Sequence, residues 1–191
     1  MALKSLICKA ALSVADIDRG YYADHALTIA RHPSETDERM MIRLLAFALH
    51  ADASLEFGRG LSTEDEPDVW RRDLTGVIER WIDVGLPDER DVRKACGRAR
   101  EVHVLAYGGR AVELWWQSAR DKLERQDRLA VNEVPIDASR ALAQLAARAM
   151  QLQVTIQEGH VFVSDGATSV PVELRTLKSL AIASSESRGR V

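Results

Sequence analysis

Three acidic residues and a lysine between Ser34 and Lys94 could do chemistry together. The runs SETDERMMIRLLAFAL, EPDVW, VIERWIDVG and PDERDVRKAC read as helix, strand, strand and helix. Glu38 lies on the first helix, Asp68 opens the first strand, and Asp83 stands on the second strand, with Glu79 as the alternative acid there. Lys94 lies on the helix that follows. This set is what metal-assisted phosphodiester hydrolysis needs. Carboxylates hold a hard cation that activates water, and a lysine orients that water or stabilises the charge that develops. In that scheme Asp68 and Asp83 are the metal ligands, Mg²⁺ or Mn²⁺ is the cofactor, Glu38 assists directly or through water, and nucleic acid is the substrate.

Each of these residues has a plainer role open to it. Alternation along Val77–Asp83 puts Glu79, Trp81 and Asp83 on one face and Ile78, Arg80 and Ile82 on the other. Two acids beside a tryptophan are costly to bury without a cation or partners, but on an edge strand they would simply meet water. Asp68 follows Pro67, a common turn pair, although a short hairpin would lay its strand against that of Asp83. Glu38 shares a helix side with Met41, Ile42 and Leu45, away from a polar stripe of Glu35, Arg39 and Arg43; a first-turn acid also serves the helix dipole. Lys94 is off the apolar stripe of Val92, Ala95, Cys96 and Ala99, as a solvated lysine would be, and Arg93 is the competing cation. Gly108-Gly109-Arg110 could form a small anion nest or just a tight connection. Trp115 and Trp116 cannot both face one core, so one of them is expected at a surface or interface.

The elements that must position these residues follow from pattern and punctuation. Residues 3–15 alternate as a strand, and Tyr21–Ala30 returns as its hairpin partner. Ser34 is the expected N-cap of a helix from about Ser34 to Ala51, with Asp37 completing a capping box. A short strand, a loop and the Asp68 strand come next. The turn Asp73–Gly76 leads to a strand over 77–83. Pro87 opens a helix to about Ala99, followed by a strand over 101–107, a helix over 111–126, a strand from Arg128 to Val134 and a helix from Ala138 to Met150. Residues 152–174 read as two or three antiparallel strands turning at Glu158-Gly159 and Asp165-Gly166. This mixture predicts an α/β or α+β fold around a mixed β-sheet flanked by helices. Ser184–Val191 is polar and expected to fray.

Composition narrows the function classes. With 26 basic and 29 acidic residues among 191, the net charge is −3 and the pI near 6.0. That excludes a strongly basic nucleic-acid footprint and leaves only local patches for such contact. Cys8 and Cys96 are far apart, which excludes a disulfide framework and fits a reducing cytoplasm. The histidines lack metal-site spacing. Lys4 and Lys9 break any signal-peptide core, and no apolar run approaches the roughly 20 residues that span a bilayer, so no membrane partner is expected.

The runs ARHPSETDERMMIRLLAFAL, GLSTEDEP, WIDVGLPDE, RKACGRA and AVELWWQ, in this order, resemble the YaeQ family of small bacterial proteins. The resemblance covers essentially the whole chain and implies one domain over residues 1–183, with 184–191 as a flexible tail. It also implies a restriction-endonuclease-like core at about 34–107, similar to the PD-(D/E)XK nuclease superfamily, with extra N- and C-terminal antiparallel strands. On that pattern Glu38 matches the helix acid, Asp68 the first strand acid and Asp83 the second, with Glu79 as rival. The superfamily lysine normally stands two residues after the second acid. Gly85 occupies that position here, which leaves Lys94 to supply the amine from the following helix. A binding module that keeps this fold without turnover, in transcription or repair, is the competing implication.

Overall fold

A computed structural model of the chain describes residues 5–59 and 66–181. The GLSTED stretch, the first residues of the N-terminal strand and the expected frayed tail lie outside the described residues. The chain begins with a long hairpin of β1 (Leu6–Asp16) and β2 (Tyr21–Arg31), followed by α1 (Asp37–Leu49), β3 (Leu55–Phe57), β4 (Val69–Arg72) and β5 (Ile78–Val84). Then come α2 (Glu89–Arg98), β6 (Ala99–Tyr107), α3 (Arg110–Leu123), β7 (Leu129–Val134) and α4 (Ile136–Gln144). The strands β8 (Ala149–Gln157), β9 (His160–Ser164), β10 (Ser169–Val172) and β11 (Arg175–Lys178) complete the fold.

These elements form two mixed sheets rather than the one expected. A five-stranded sheet has the order β10-β9-β8-β1-β2, and a six-stranded sheet has the order β11-β7-β6-β5-β4-β3. The hairpin and the C-terminal strands belong together, because β1 pairs with β8, and in parallel rather than antiparallel register. Helices α1 and α4 fill the space between the sheets. Their apolar residues share one core with Leu12, Val14, Leu152 and Val154 of the first sheet and with Val69, Ile82, Val84, Leu105 and Val134 of the second. Helices α2 and α3 cover the far side of the six-stranded sheet, packing Val92, Ala95, Val112 and Leu123 on Trp81, Val102, Val104, Leu129 and Val131. The strand that carries Asp83 is therefore interior: β5 pairs antiparallel with β4 and parallel with β6.

Three element boundaries depart from the sequence pattern. Helix α1 is capped by Thr36, whose hydroxyl accepts from the Arg39 amide at 3.1 Å. Ser34 instead bonds the His32 ring at 2.6 Å, and Asp37 pairs with Arg31 at 2.7 Å rather than closing a capping box. Helix α2 is capped by Asp88, so Pro87 precedes it. The helix expected over Ala138–Met150 stops at Gln144, and Ala149 already opens β8. There, alternate burial of Met150, Leu152, Val154 and Ile156 against the core outweighs the helical propensity of the preceding alanines.

Candidate acid–arginine site

The site is built where the N-terminal half of α1 meets the start of β4 and the carboxyl ends of β5 and β6. Glu35, just before the α1 cap, is 3% exposed and Arg43, one turn past Arg39, is 1% exposed. Arg43 Nη1 contacts both Glu35 carboxylate oxygens, at 3.0 and 2.9 Å, and Arg39 Nη1 donates to Glu35 Oε1 at 2.9 Å. Arg39 then reaches Asp68, with Nη2 to Oδ1 at 2.7 Å. Arg43 Nε lies 3.7 Å from the same oxygen, close enough for Coulomb attraction but too far for a hydrogen bond. The other Asp68 oxygen accepts from the Val84 amide at 2.8 Å, which ties the start of β4 to the end of β5. The stripe of Glu35, Arg39 and Arg43 expected on the solvent side of α1 is thus largely inside. Reciprocal pairing makes its burial tolerable.

Asp83 adjoins this network. Its Oδ2 accepts from the Trp81 indole at 2.8 Å. Burial pushes its carboxyl up to about 7; the Trp81 hydrogen bond opposes that shift, the Asp68 charge adds to it, and the Asp68 amide and Arg39 oppose it. Asp68 and Asp83 are therefore electrostatic neighbours. Glu38 is half-buried and turned elsewhere: its Oε1 accepts from the Ser139 hydroxyl of α4 at 2.6 Å. Tyr107, at the end of β6, feels the same charges: its phenol is raised first by burial and also by the charges of Glu38, Asp68 and Glu35, with Arg39 opposing.

The other expected residues lie apart. Lys94 is 66% exposed in its side chain and 3.4 Å from Asp91. Arg93 is exposed and 3.6 Å from Glu89. Neither cation joins the acids. Glu79, near the opposite end of β5 from Asp83, pairs with Arg71 at 2.7 Å and with Arg100 at 3.7 Å. The site also holds residues that the sequence did not single out for chemistry: Arg39, Arg43, Glu35, Tyr107 and Ser139. The available signal was the set of charges at 35, 39 and 43 on a helix that is otherwise apolar from Met40 onward.

A divalent ion needs carboxylate oxygens with free lone pairs and room for water. Here both Asp68 oxygens already receive protein donors, one Asp83 oxygen receives the indole, and Glu38 belongs to Ser139. Among the described residues no group of three or more His, Cys, Asp and Glu side chains could hold a metal ion. The donor set in this arrangement does not fit Mg²⁺ or Mn²⁺.

A cleft opens at the carboxyl ends of β6 and β7, lined by Gly109, Arg110, Glu113, Glu133, Ile136 and Arg175. The chain leaves β6 into α3 on one face of the sheet and leaves β7 into α4 on the other. The connection is tight. Gly109 has φ +60°, and a Cβ there would stand 2.8 Å from Ile136 Cδ1. No described helix is long and apolar enough to cross a membrane.

Comparison with known proteins agrees with this architecture. The YaeQ protein family model matches residues 1–174. "Uncharacterized protein YaeQ" of Salmonella typhi is 47% identical over 174 residues, covering 91% of this chain and 96% of that protein. The crystal structure of YaeQ protein from Xanthomonas axonopodis pv. citri superposes with a TM-score of 0.89 at 51% identity, covering 92% of this chain and 99% of the other. That from Pseudomonas syringae gives 0.88 at 37% identity, covering 93% and 98%. Sequence match and fold coincide along nearly the full length, and the chain belongs to the YaeQ family.

Proposed function

We propose that this chain is a nuclease-like module that binds nucleic acid without hydrolysing it. The observation that carries this reading is the state of the acid pair: Asp68 is held by Arg39, with Arg43 nearby, while Lys94 stands in solvent beside Asp91. The cation that would activate water and the amine that would steady the developing charge are thus both displaced from the geometry hydrolysis requires. The resemblance of Glu38, Asp68 and Asp83 to the PD-(D/E)XK pattern supplies the substrate class.

The cleft at the carboxyl ends of β6 and β7 supports binding at this edge of the sheet. Ligands of α/β sheets sit outside the carboxyl ends of strands where the following helices depart to opposite faces. Helices α3 and α4 both begin there without a side-chain cap, at Gly109 and Pro135, and Arg110 is at hand. Backbone N–H groups at helix N-termini and a guanidinium donate to phosphate oxygens regardless of base sequence. Glu113 and Glu133 in the same lining, and the net charge of −3, make the contact weak and strongly salt-dependent.

The test uses the full chain with labelled single- and double-stranded DNA and RNA at low ionic strength, with Mg²⁺ or Mn²⁺ present. Fluorescence anisotropy is expected to show binding that salt removes and Arg110→Glu weakens, and gels are expected to show intact strands. Cleavage that Asp83→Asn abolishes would make the protein a hydrolase. Absence of binding to all four substrates at low salt would remove nucleic acid as the ligand.

A further inference from the structure

Four strands end the two sheets, and three of them are closed to further pairing. β3 has three residues, β10 has four with Pro171 among them, and β11 has four with a break in register between Thr176 and Lys178. Short length, proline and irregular register each stop another strand from adding. β2 has none of these devices. It runs for eleven residues, contains no proline, and keeps unbroken register with β1 from Tyr21 to Arg31. Among the described residues, no backbone group of β2 bonds to backbone other than that of β1, and one side chain reaches it: Arg43 Nη1 stands 3.4 Å from the Ala30 carbonyl. The core side of the strand is also left unfinished. Cys8, Ala10, Leu12 and Val14 of β1 are buried, whereas Tyr21, Ala23, His25 and Leu27 of β2 are half-buried.

We infer that β2 is a pairing edge whose occupant is β2 of a second copy of this chain, joined antiparallel about Ala26 into one continuous sheet. Two arguments favour a second copy over an extended segment of another protein. An added peptide leaves its own outer edge unpaired, whereas two-fold pairing of β2 with itself uses up both edges. The strand is also compatible with itself. About Ala26, residues of the same parity face each other, so Ala23 meets Ile29 and His25 meets Leu27 on the core side, while Asp24 meets Thr28 on the outer side. No like charges stand opposite one another: Asp24 and Arg31 are the only Asp, Glu, Lys or Arg residues of the strand, and Arg31 is turned to Asp37. Eleven paired residues of an antiparallel ladder exchange about ten backbone hydrogen bonds, as many as a typical specific interface carries. The contact strip is one strand wide, at the low end of interface areas, so the association is micromolar rather than nanomolar.

The experiment is sedimentation equilibrium of the full chain from about 1 μM to about 500 μM, a range that brackets a micromolar dissociation constant. The weight-average mass of the parent is expected to rise with concentration from 21.2 kDa towards twice that value. Ala26→Lys places a charge at an exposed position of the edge, directly against the same charge of the second copy, and should weaken dimerisation by about tenfold. Gln151→Lys adds the same charge at an exposed position two strands inward, on β8, and should leave dimerisation unchanged. Thermal melting checks that Ala26→Lys folds. If it does not, Thr28→Glu replaces it, with a carboxylate beside Lys9 of its own copy and opposite Asp24 of the other. Two results overturn the inference. One is a parent that stays monomeric to the top of the range, which leaves the edge to an extended segment of another protein. The other is a dimer that the folded edge variant weakens no more than Gln151→Lys does, which places the interface elsewhere.

Discussion

Glu79 and Asp83 leave the same strand, near opposite ends of β5, and meet different surroundings. Glu79 sits among Arg71, Arg80, Arg100 and Glu101 around an open surface depression, paired twice and partly wet. Asp83 sits beside Asp68 and Trp81 at the edge of the buried cluster, and burial moves its carboxyl to about 7. Both acids have arginines within reach, so the supply of positive charge does not separate them. What separates them is water. At the Glu79 end solvent screens every pair, and each contributes little. At the Asp83 end Glu35 and Asp68 already absorb the guanidinium charge, and a third carboxylate must either protonate or find another cation.

The largest effect that would break this contrast is expected from Arg43. Arg43→Met leaves the buried Glu35 with Arg39 alone, and loss of one partner from a buried ion cluster costs about 3–5 kcal/mol. Urea unfolding should show that loss as a lower midpoint. A cost below about 1 kcal/mol would place the cluster in the same class as the solvent pairs.

Asp83 sharpens the contrast through pH. Its folded pKa of about 7 lies above the ordinary 3.8, so the stability it contributes is complete below about pH 4 and is lost as pH rises through 7. Asp83→Asn keeps a group that accepts from the Trp81 indole and cannot ionise. The variant should be more stable than the parent at pH 8–9, by about 2 kcal/mol after allowing for partial exposure, with the advantage gone below about pH 4. Parallel stability–pH curves for the two proteins would show that Asp83 ionises normally.

A histidine pair supplies the opposite slope. The His50 ring, at the C-cap of α1, lies 4.4 Å from the His103 ring of β6. Burial drives the pKa of His50 well below 6.5 and that of His103 below it, with Arg80 adding to both and Glu101 opposing the shift at His103. Folded pKa values below the unfolded value mean that their contribution is present above pH 6.5 and lost as pH falls beneath it. His50→Gln should flatten the acid limb of the stability curve measured by thermal melting, and an unchanged acid limb would contradict the burial argument.

The smallest effects belong to the solvent side. Glu79→Gln and Lys94→Ala should each shift stability by less than about 1 kcal/mol. Lys94→Ala should also leave nucleic-acid binding unchanged, and a variant defective in binding would bring that lysine back to the site.

Element order was largely legible in the sequence. Loose alternation marked β1, a period of two marked β5 and a buried apolar run marked β6; Gly108-Gly109 marked the start of α3, and the apolar run from Met40 marked α1 although its cap is Thr36 rather than Ser34. That the sequence predicts one sheet where there are two has a physical cause. The pairing of β1 with β8 joins residues more than a hundred positions apart, and no local pattern encodes such a partner. Among site residues, Asp68 and Asp83 could be paired in advance because a hairpin fixes their register. The role of Arg39 and Arg43 could not. Charges at 35, 39 and 43 look the same from sequence whether the helix face meets water or a second sheet, and only the hairpin β1–β2 with strands β8–β10 makes α1 an interior helix. Lys94 illustrates the converse. A helical wheel placed it off the apolar stripe, and in the structure it is exposed beside Asp91.

The measurement closest to the central claim is a carboxyl-detected NMR titration of Asp83 in the full chain, with and without millimolar Mg²⁺. If Glu35 and Asp68 take up the arginine charge and leave Asp83 buried without a cation, Asp83 titrates near 7 and its midpoint does not move when Mg²⁺ is added. A midpoint that falls into the ordinary carboxylate range on adding Mg²⁺ would show that the pair is a metal site after all.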